Sequence, residues 1–228
     1  MDRRSDLRAA VHDRISAGTS RKVWTPADFL DLGGRDAIDK TLQRLVAAGG
    51  LRRIDRGLYD QPTFNALTQQ PSPPDPRNVI DAVARRDQIR VLVDGMTAAN
   101  DLGLTNAVPA RIQVHADARL RPIRLGGLEI TFRPTAASKL FWAGRPAMRL
   151  VQALHWLRDT MENSEENEFL RRRVTRLLND KKEGGGLRAD LRDGLSALPA
   201  WMQVWLKPML PDEAGAGEDP EPPTTPVP

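Results

Sequence analysis

The chain contains no cysteine among its 228 residues. This absence excludes disulfides, thiolate metal sites, iron–sulfur clusters and cysteine nucleophiles. The sequence also has no stretch of about 18 apolar residues without a charge, and its first residues have no apolar core of signal-peptide length. These absences predict a soluble protein of the cytoplasm.

The motifs of common catalytic sites are missing as well. The three histidines, His12, His115 and His155, are far apart in sequence, and no HExxH, GxSxG or SxxK pattern occurs. The three glycines at 184–186 match neither a P-loop nor GxGxxG, because no strand precedes them and no Lys-Ser or Lys-Thr follows. We interpret them as a helix break. The sequence therefore predicts no metal site, no cofactor and no enzymatic activity.

The charge is uneven along the chain. The net charge is +4, but the last 18 residues hold five acids and no Lys or Arg, so residues 1–210 carry +9. A basic body suits a polyanionic partner, which it attracts through a screened term that is independent of sequence. However, lysine supplies only six of the 34 basic residues, and such an arginine bias also arises from genome base composition. Charge alone leaves both explanations open.

Two proline-rich segments divide the sequence. Residues 70–77 have four prolines in eight positions, a composition typical of an extended linker. Residues 211–228 combine six prolines with the five acids and predict a disordered tail. The predicted domains are residues 1–66, a linker over 67–77, residues 78–210, and the tail.

Two helices are predicted before the first glycine pair. Apolar residues at helical spacing indicate an amphipathic helix that ends near Gly18: Leu7, Val11 and Ile15. A short second helix is expected to begin with Thr25 as N-cap, Pro26 at the first helical position and Asp28 at the third. Trp24 and Phe29 are placed to pack across this start as a hydrophobic staple.

A third helix is predicted from Arg35 to Ala48. Its apolar stripe consists of Ile38, Leu42, Leu45 and Val46, and the glycines at 49–50 end it. The opposite face is polar, with side chains long enough to reach base edges: Asp36, Lys40, Gln43 and Arg44, with Arg35 in the first turn. After it, residues 51–54 and 58–59 form two strand-like runs around the turn 55–57, which predicts a β-hairpin.

This order of elements is that of a winged helix-turn-helix. In that fold the third helix enters the major groove of DNA and the hairpin, or wing, touches the flanking backbone. The predicted DNA-binding residues come from the polar helix face and the hairpin: Arg35, Asp36, Lys40, Gln43, Arg44, Arg52, Arg53 and Arg56.

The stretch from Trp24 to Pro62 resembles the N-terminal winged-helix domain of AbiEi-type antitoxins, the antitoxin half of type IV toxin-antitoxin systems. The resemblance rests on Arg44-Leu45, Gly50-Leu51, Arg53-Ile54 and the run Arg56-Gly57-Leu58-Tyr59. A second stretch, DGMTAANDLGLTNAVPARIQVHADA, resembles the second AbiEi domain, although residues 98–101 replace an apolar, leucine-containing run. The resemblance covers residues 20–158 and implies a nucleotidyltransferase toxin as partner.

The second domain is predicted to be α+β. Residues 111–115, 123–125 and 128–132 alternate apolar and polar residues, and Gly126-Gly127 joins the last two runs as a hairpin in a small antiparallel sheet. Helices are expected near 79–84 and 96–102 and over 145–159, 165–181 and 199–210. The complete prediction is a winged helix-turn-helix followed by a mixed domain with several helices.

The favoured hypothesis is a transcriptional autoregulator that binds double-stranded operator DNA and acts as the antitoxin of an AbiE-like system. The alternative is a winged-helix adaptor, or a stand-alone regulator without a toxin partner. An adaptor would show no salt-dependent affinity for DNA. The operator sequence, the oligomeric state and the residues that neutralise a toxin have no signature in the sequence.

Overall fold

A computed structural model describes residues 3–18, 21–67 and 69–210. Its architecture is mixed α+β, as predicted, with eight α-helices and three small sheets in the described residues. The described chain divides into two compact units, one of residues 3–144 and 148–156 and the other of residues 145–147 and 157–210. The predicted acidic tail lies outside the described residues.

The first unit begins with a small three-stranded sheet and its helices. The elements are α1 (Arg3–Ala17), β1 (Val23–Trp24), a 3₁₀ turn (Pro26–Phe29), α2 (Arg35–Ala47), β2 (Arg52–Asp55) and β3 (Leu58–Asp60). The strand order is β1-β3-β2, and both pairings are antiparallel. One buried cluster joins these elements: Val11, Ile15, Trp24, Phe29, Ile38, Leu42, Leu45, Leu51 and Tyr59.

Local signals near Thr25 behave as the sequence predicts, with one difference. The Asp28 carboxylate accepts hydrogen bonds from the Thr25 backbone N–H (2.7 Å) and hydroxyl (3.0 Å), and the rings of Trp24 and Phe29 lie 5.2 Å apart. The segment that follows forms a single 3₁₀ turn rather than an α-helix. Four residues are too few to repay the cost of starting an α-helix, and the tighter turn suffices to bury Phe29.

The proline-rich segment does not mark the boundary between the compact units. Residues 64–65 (β4) and 70–71 (β5) pair as a short antiparallel ribbon, and α3 (Pro76–Asp87) starts at the last proline of the segment. Helix α3 then packs against β1 and β3 of the first sheet. The prediction of a linker with few contacts across it is therefore wrong, because a proline at the first helical position begins a helix as readily as it stiffens a linker.

A four-stranded sheet forms the rest of the first unit. Its strands are β6 (Val91–Val93), β7 (Arg111–Ala116), β8 (Ile123–Leu125) and β9 (Leu128–Pro134), in the order β6-β7-β9-β8. The predicted β8–β9 hairpin is confirmed, but β7 and β9 pair in parallel, so the sheet is mixed and not purely antiparallel. Strand β8 lies at the edge of the sheet, so the other side of β9 pairs with β7, and these two strands run in the same direction.

Two helices complete this unit. Helix α4 (Gly95–Asp101) begins at Asp94, whose carboxylate accepts hydrogen bonds from the Thr97 N–H (2.9 Å) and hydroxyl (2.8 Å). Helix α5 (Met148–Trp156) packs along α4 and buries most of its apolar residues. Helix α4 begins and ends one residue earlier than the predicted range of 96–102, and α5 lies within the predicted range of 145–159 but is several residues shorter than that range.

The second unit contains α6 (Ser164–Leu178), α7 (Gly184–Asp193) and α8 (Ala200–Leu206). The three glycines at 184–186 begin α7, so their interpretation as a helix break is wrong. A Cβ on Gly184 would collide with the carbonyl group of Leu178, and glycine is therefore required by close packing. Arg145 joins α7 through the carboxylates of Asp190 (2.7 Å) and Asp193 (2.5 Å).

Candidate functional site

The polar face of α2 is exposed to solvent. Its apolar stripe packs into the first core, with Ile38 and Leu42 fully buried. The predicted base-reading face lies opposite, and all five of its members are exposed: Arg35, Asp36, Lys40, Gln43 and Arg44. Arg35 forms an ion pair with Asp39 one helical turn away, at 2.9 Å. The helix therefore presents a continuous surface of long polar side chains.

The hairpin that follows has the predicted shape. Gly57 has a φ of +69°, a left-handed conformation that glycine adopts without strain, and it closes the turn between β2 and β3. Arg53 and Arg56 are exposed on this hairpin. Neither of them forms an ion pair with another residue in the described part of the chain. Arg53 Nε donates a long hydrogen bond of 3.4 Å to the Asp55 carbonyl, and the remaining donors of both guanidinium groups are available to a ligand.

Arg52 differs from its two neighbours. Its guanidinium binds the Asp60 carboxylate through two hydrogen bonds, of 3.0 Å and 2.6 Å, and donates a third to the Ser72 carbonyl at 2.9 Å. Asp60 is only 4% exposed. Arg52 was predicted to bind DNA, but in the structure its charge compensates a buried carboxylate across the hairpin, which gives it a structural role that its two neighbours lack.

Two arginines of helix α3 form hydrogen bonds with the backbone of the first sheet and its hairpin. The Arg86 guanidinium donates to the Arg56 carbonyl at 2.6 Å, and Arg85 donates to the Val23 carbonyl at 3.1 Å. Arg86 also holds Asp87 through two hydrogen bonds, which raise the pKa of the arginine further above its usual range. The turn at Arg56 is thus fixed by a neighbouring helix as well as by its own strands.

A cleft of about 980 Å³ opens between α2, the hairpin, α3 and the connection from β7 to β8. Six arginines and three aspartates lie on its walls, which gives the lining a formal charge of +3. The arginines are Arg35, Arg53, Arg56, Arg86, Arg119 and Arg121. Tyr59, Val83, Ile123 and Phe132 add apolar surface. The cleft thus combines a net positive lining with apolar patches.

The structure brings some predicted site residues together and not others. Arg35, Gln43, Arg53 and Arg56 line this cleft, whereas Asp36, Lys40 and Arg44 lie on the exposed face of α2 outside it. Sequence reasoning missed Arg86, Arg119 and Arg121. The alternating arginines of the segment ARLRP were the available signal for Arg119 and Arg121.

The connection that carries Arg119 and Arg121 is anchored at its start. The Asp117 carboxylate accepts hydrogen bonds from the Arg90 backbone N–H (2.9 Å) and Nε (3.0 Å). These bonds hold the pKa of the Asp117 carboxyl below its ordinary value. Arg119 and Arg121 are both exposed, and neither forms an ion pair within the described ranges. The hydrogen bonds of Asp117 therefore hold the start of the segment that carries Arg119 and Arg121.

The chemistry of the cleft is that of anion binding. Guanidinium groups present planar sets of donors that match carboxylate and phosphate oxygens. In the described residues, no three histidine, aspartate or glutamate side chains gather as a metal site would require. No helix in those residues has the length and hydropathy to cross a membrane.

Comparison with known proteins adds a family but no activity. No curated protein matches the sequence. The family model of DUF6088, a family of unknown function, matches residues 10–184. Since this range includes the whole first unit except its first residues and extends over α6, it covers more than three quarters of the chain. The chain therefore belongs to the DUF6088 family of unknown function.

Proposed function

We propose that the protein is a DNA-binding transcriptional autoregulator whose first six elements form a winged helix-turn-helix. The observation that carries the proposal is that Arg35 and Gln43, on the exposed polar face of α2, line one basic cleft together with the hairpin arginines Arg53 and Arg56. The sheet order β1-β3-β2, with the hairpin after α2, supports the winged-helix assignment.

In this proposal α2 is the recognition helix. Gln43 and Arg44 have the side-chain chemistry that reads base edges, since arginine pairs with guanine and glutamine with adenine in the major groove. Lys40, Arg53 and Arg56 bind phosphates beside the site, and they set affinity and register without reading sequence. Arg52 has no contact with DNA here, because its partner is Asp60.

The antitoxin part of the proposal rests on the resemblance to AbiEi-type antitoxins. It makes a nucleotidyltransferase toxin the functional partner, opposed without an obligatory tight complex. The mechanism needs no catalytic step, metal or cofactor in this chain. A stand-alone regulator would share the DNA site and lack the toxin, and an adaptor would lack the DNA site.

The test measures binding to the promoter fragment of the protein's own gene and to a random duplex of equal length, over a series of salt concentrations. We expect tighter binding to the promoter. Arg44→Ala or Gln43→Ala should cost about 1–3 kcal/mol on the promoter and weaken the preference, whereas Arg56→Ala should weaken both duplexes alike. Arg133→Ala, which removes an exposed arginine outside the cleft, is the matched control and should change neither.

Equal affinity of the wild type for both duplexes would contradict the regulator. Identical behaviour of the Arg44 and Arg56 variants would contradict the division between recognition helix and wing. Co-expression with a neighbouring nucleotidyltransferase gene tests the antitoxin activity. Restored growth of the cells supports that activity. If an intact toxin still arrests growth, the protein is a stand-alone regulator.

A further inference from the structure

Arg119 and Arg121 face the same cleft as the hairpin arginines, although they lie far from them in sequence. Both side chains are exposed, and neither has an ionic partner in the residues that the structure covers. By contrast, Arg35 and Arg86 on the same walls are compensated by Asp39 and Asp87. Asp55 at the hairpin turn also lines the cleft and offsets one of the two hairpin arginines. The net charge of +3 is therefore divided between the hairpin (+1) and the β7–β8 connection (+2).

The backbone that carries these two arginines is held in place. Asp117 fixes its start through the two hydrogen bonds from Arg90, and Ile123, which begins β8, is buried. A ligand that binds Arg119 and Arg121 must order their side chains, but the backbone of this segment is already held in place. A preorganised surface of this kind loses less conformational entropy on binding than a free loop would.

The distribution of charge indicates the shape of the ligand. The four arginines without an ion pair come from two separate segments that line a cleft of about 980 Å³, which is open to solvent. One small anion would contact few of them at once. A chain of phosphates, with one negative charge about every 1.7 Å of duplex axis, can engage both segments together.

We propose that Arg119 and Arg121 bind the phosphate backbone of the same DNA duplex that α2 and the hairpin contact, so that the strand beside the hairpin runs along this cleft. The inference rests on the proposed function and adds a second, sequence-independent contact from the four-stranded sheet. It makes that sheet part of the DNA-binding surface.

The test compares the full-length double variant Arg119→Gln/Arg121→Gln with the wild type on the promoter and random duplexes. Each lost phosphate contact lowers the slope of log affinity against log salt by about 0.9, so the slope should become shallower by about 1.8. Affinity should fall by the same factor for both duplexes, and the preference for the promoter should stay. The control Arg133→Gln/Arg176→Gln removes the same charge from exposed positions outside the cleft and should leave the slope unchanged.

The outcomes separate this inference from the proposed function. If the Arg119/Arg121 variant keeps the wild-type slope while Arg44→Ala loses promoter preference, the inference is wrong and the regulator stands. If the wild type has no promoter preference but the slope still falls by about 1.8, the regulator is wrong and the cleft contact stands. Binding of a nucleoside triphosphate that the double variant loses, with an unchanged DNA slope, would assign the cleft to a small anion and overturn the inference. Circular dichroism should show the same unfolding for the variant and the wild type, since both side chains are exposed.

Discussion

Replacing Arg52 by alanine should destabilise the protein strongly, and more than the same change at Arg53. The two residues are adjacent on β2, but only Arg52 is bonded to a buried group. Its loss leaves the Asp60 carboxylate, 4% exposed, without its two charged hydrogen bonds. It also frees the Ser72 carbonyl, so the hairpin loses its tie to the segment after β5.

The size of the effect follows from the burial of the two partners. Removing one member of a buried ion pair costs about 3–5 kcal/mol, because the remaining charge has neither partner nor water. The Arg52 side chain is 29% exposed, so water reaches the pair and the lower end of that range applies. We expect a loss of about 3 kcal/mol, roughly a hundredfold in the ratio of folded to unfolded protein. Arg53→Ala should stay within about 0.5 kcal/mol, as exposed substitutions do.

Urea unfolding followed by circular dichroism measures both variants. A lower midpoint with an unchanged slope reports a loss of stability rather than a change in the unfolded chain. The double variant Arg52→Ala/Asp60→Asn should regain part of the loss, because the buried charge is gone. If Arg52→Ala unfolds at the same urea concentration as Arg53→Ala, the structural role of Arg52 is refuted. A shallower salt dependence of DNA affinity in Arg52→Ala would then identify Arg52 as a DNA contact.

Two further predictions concern other parts of the chain. Gly184→Ala should destabilise by about 1–3 kcal/mol, because the added Cβ meets the Leu178 carbonyl, whereas Gly185→Ala faces open space and should stabilise by up to about 1 kcal/mol through helix propensity. Thermal unfolding of the two single variants decides this, and similar midpoints would contradict the packing argument. The hydrogen bond from Arg14 holds the pKa of the Asp31 carboxyl below its ordinary value, so this bond stabilises the fold above that ordinary pKa and is lost as pH falls through the lowered one. An NMR titration of Asp31 should show the low pKa and its return towards normal in Arg14→Gln, and an unchanged value in that variant would disprove the cause.

Local patterns predicted the elements of the first sheet well. The capping group at Thr25, the ring pair of Trp24 and Phe29 and the stripe of α2 all join residues a few positions apart, so short-range geometry decides them. The order of the strands within a sheet is harder to predict. Alternation along β7 and β9 indicates which side chains are buried and contains no information on which strand lies beside which, so their parallel pairing was not predictable.

At the candidate site, too, contacts between distant residues separate the structure from the sequence prediction. Arg52 and Arg53 have identical chemistry in adjacent positions, and only the burial of Asp60, eight residues later, separates a structural pair from an available cation. Arg119 and Arg121 line the cleft together with Arg53 and Arg56, which lie far earlier in the chain, and no short stretch of sequence encodes that proximity. The glycines at 184–186 were misinterpreted because glycine serves both to end a helix and to permit close approach.

The walls of the cleft also emerge from the ribosome at different times. At about 5–20 residues per second, Arg121 follows Arg35 by roughly 4–17 seconds, far longer than a hairpin or helix needs to form. The polar face of α2 and the hairpin are therefore complete while the β7–β8 connection is still being translated. A nascent chain thus acquires its recognition surface before the arginines of the β7–β8 connection, so its earliest encounters with polyanions involve one part of the cleft alone.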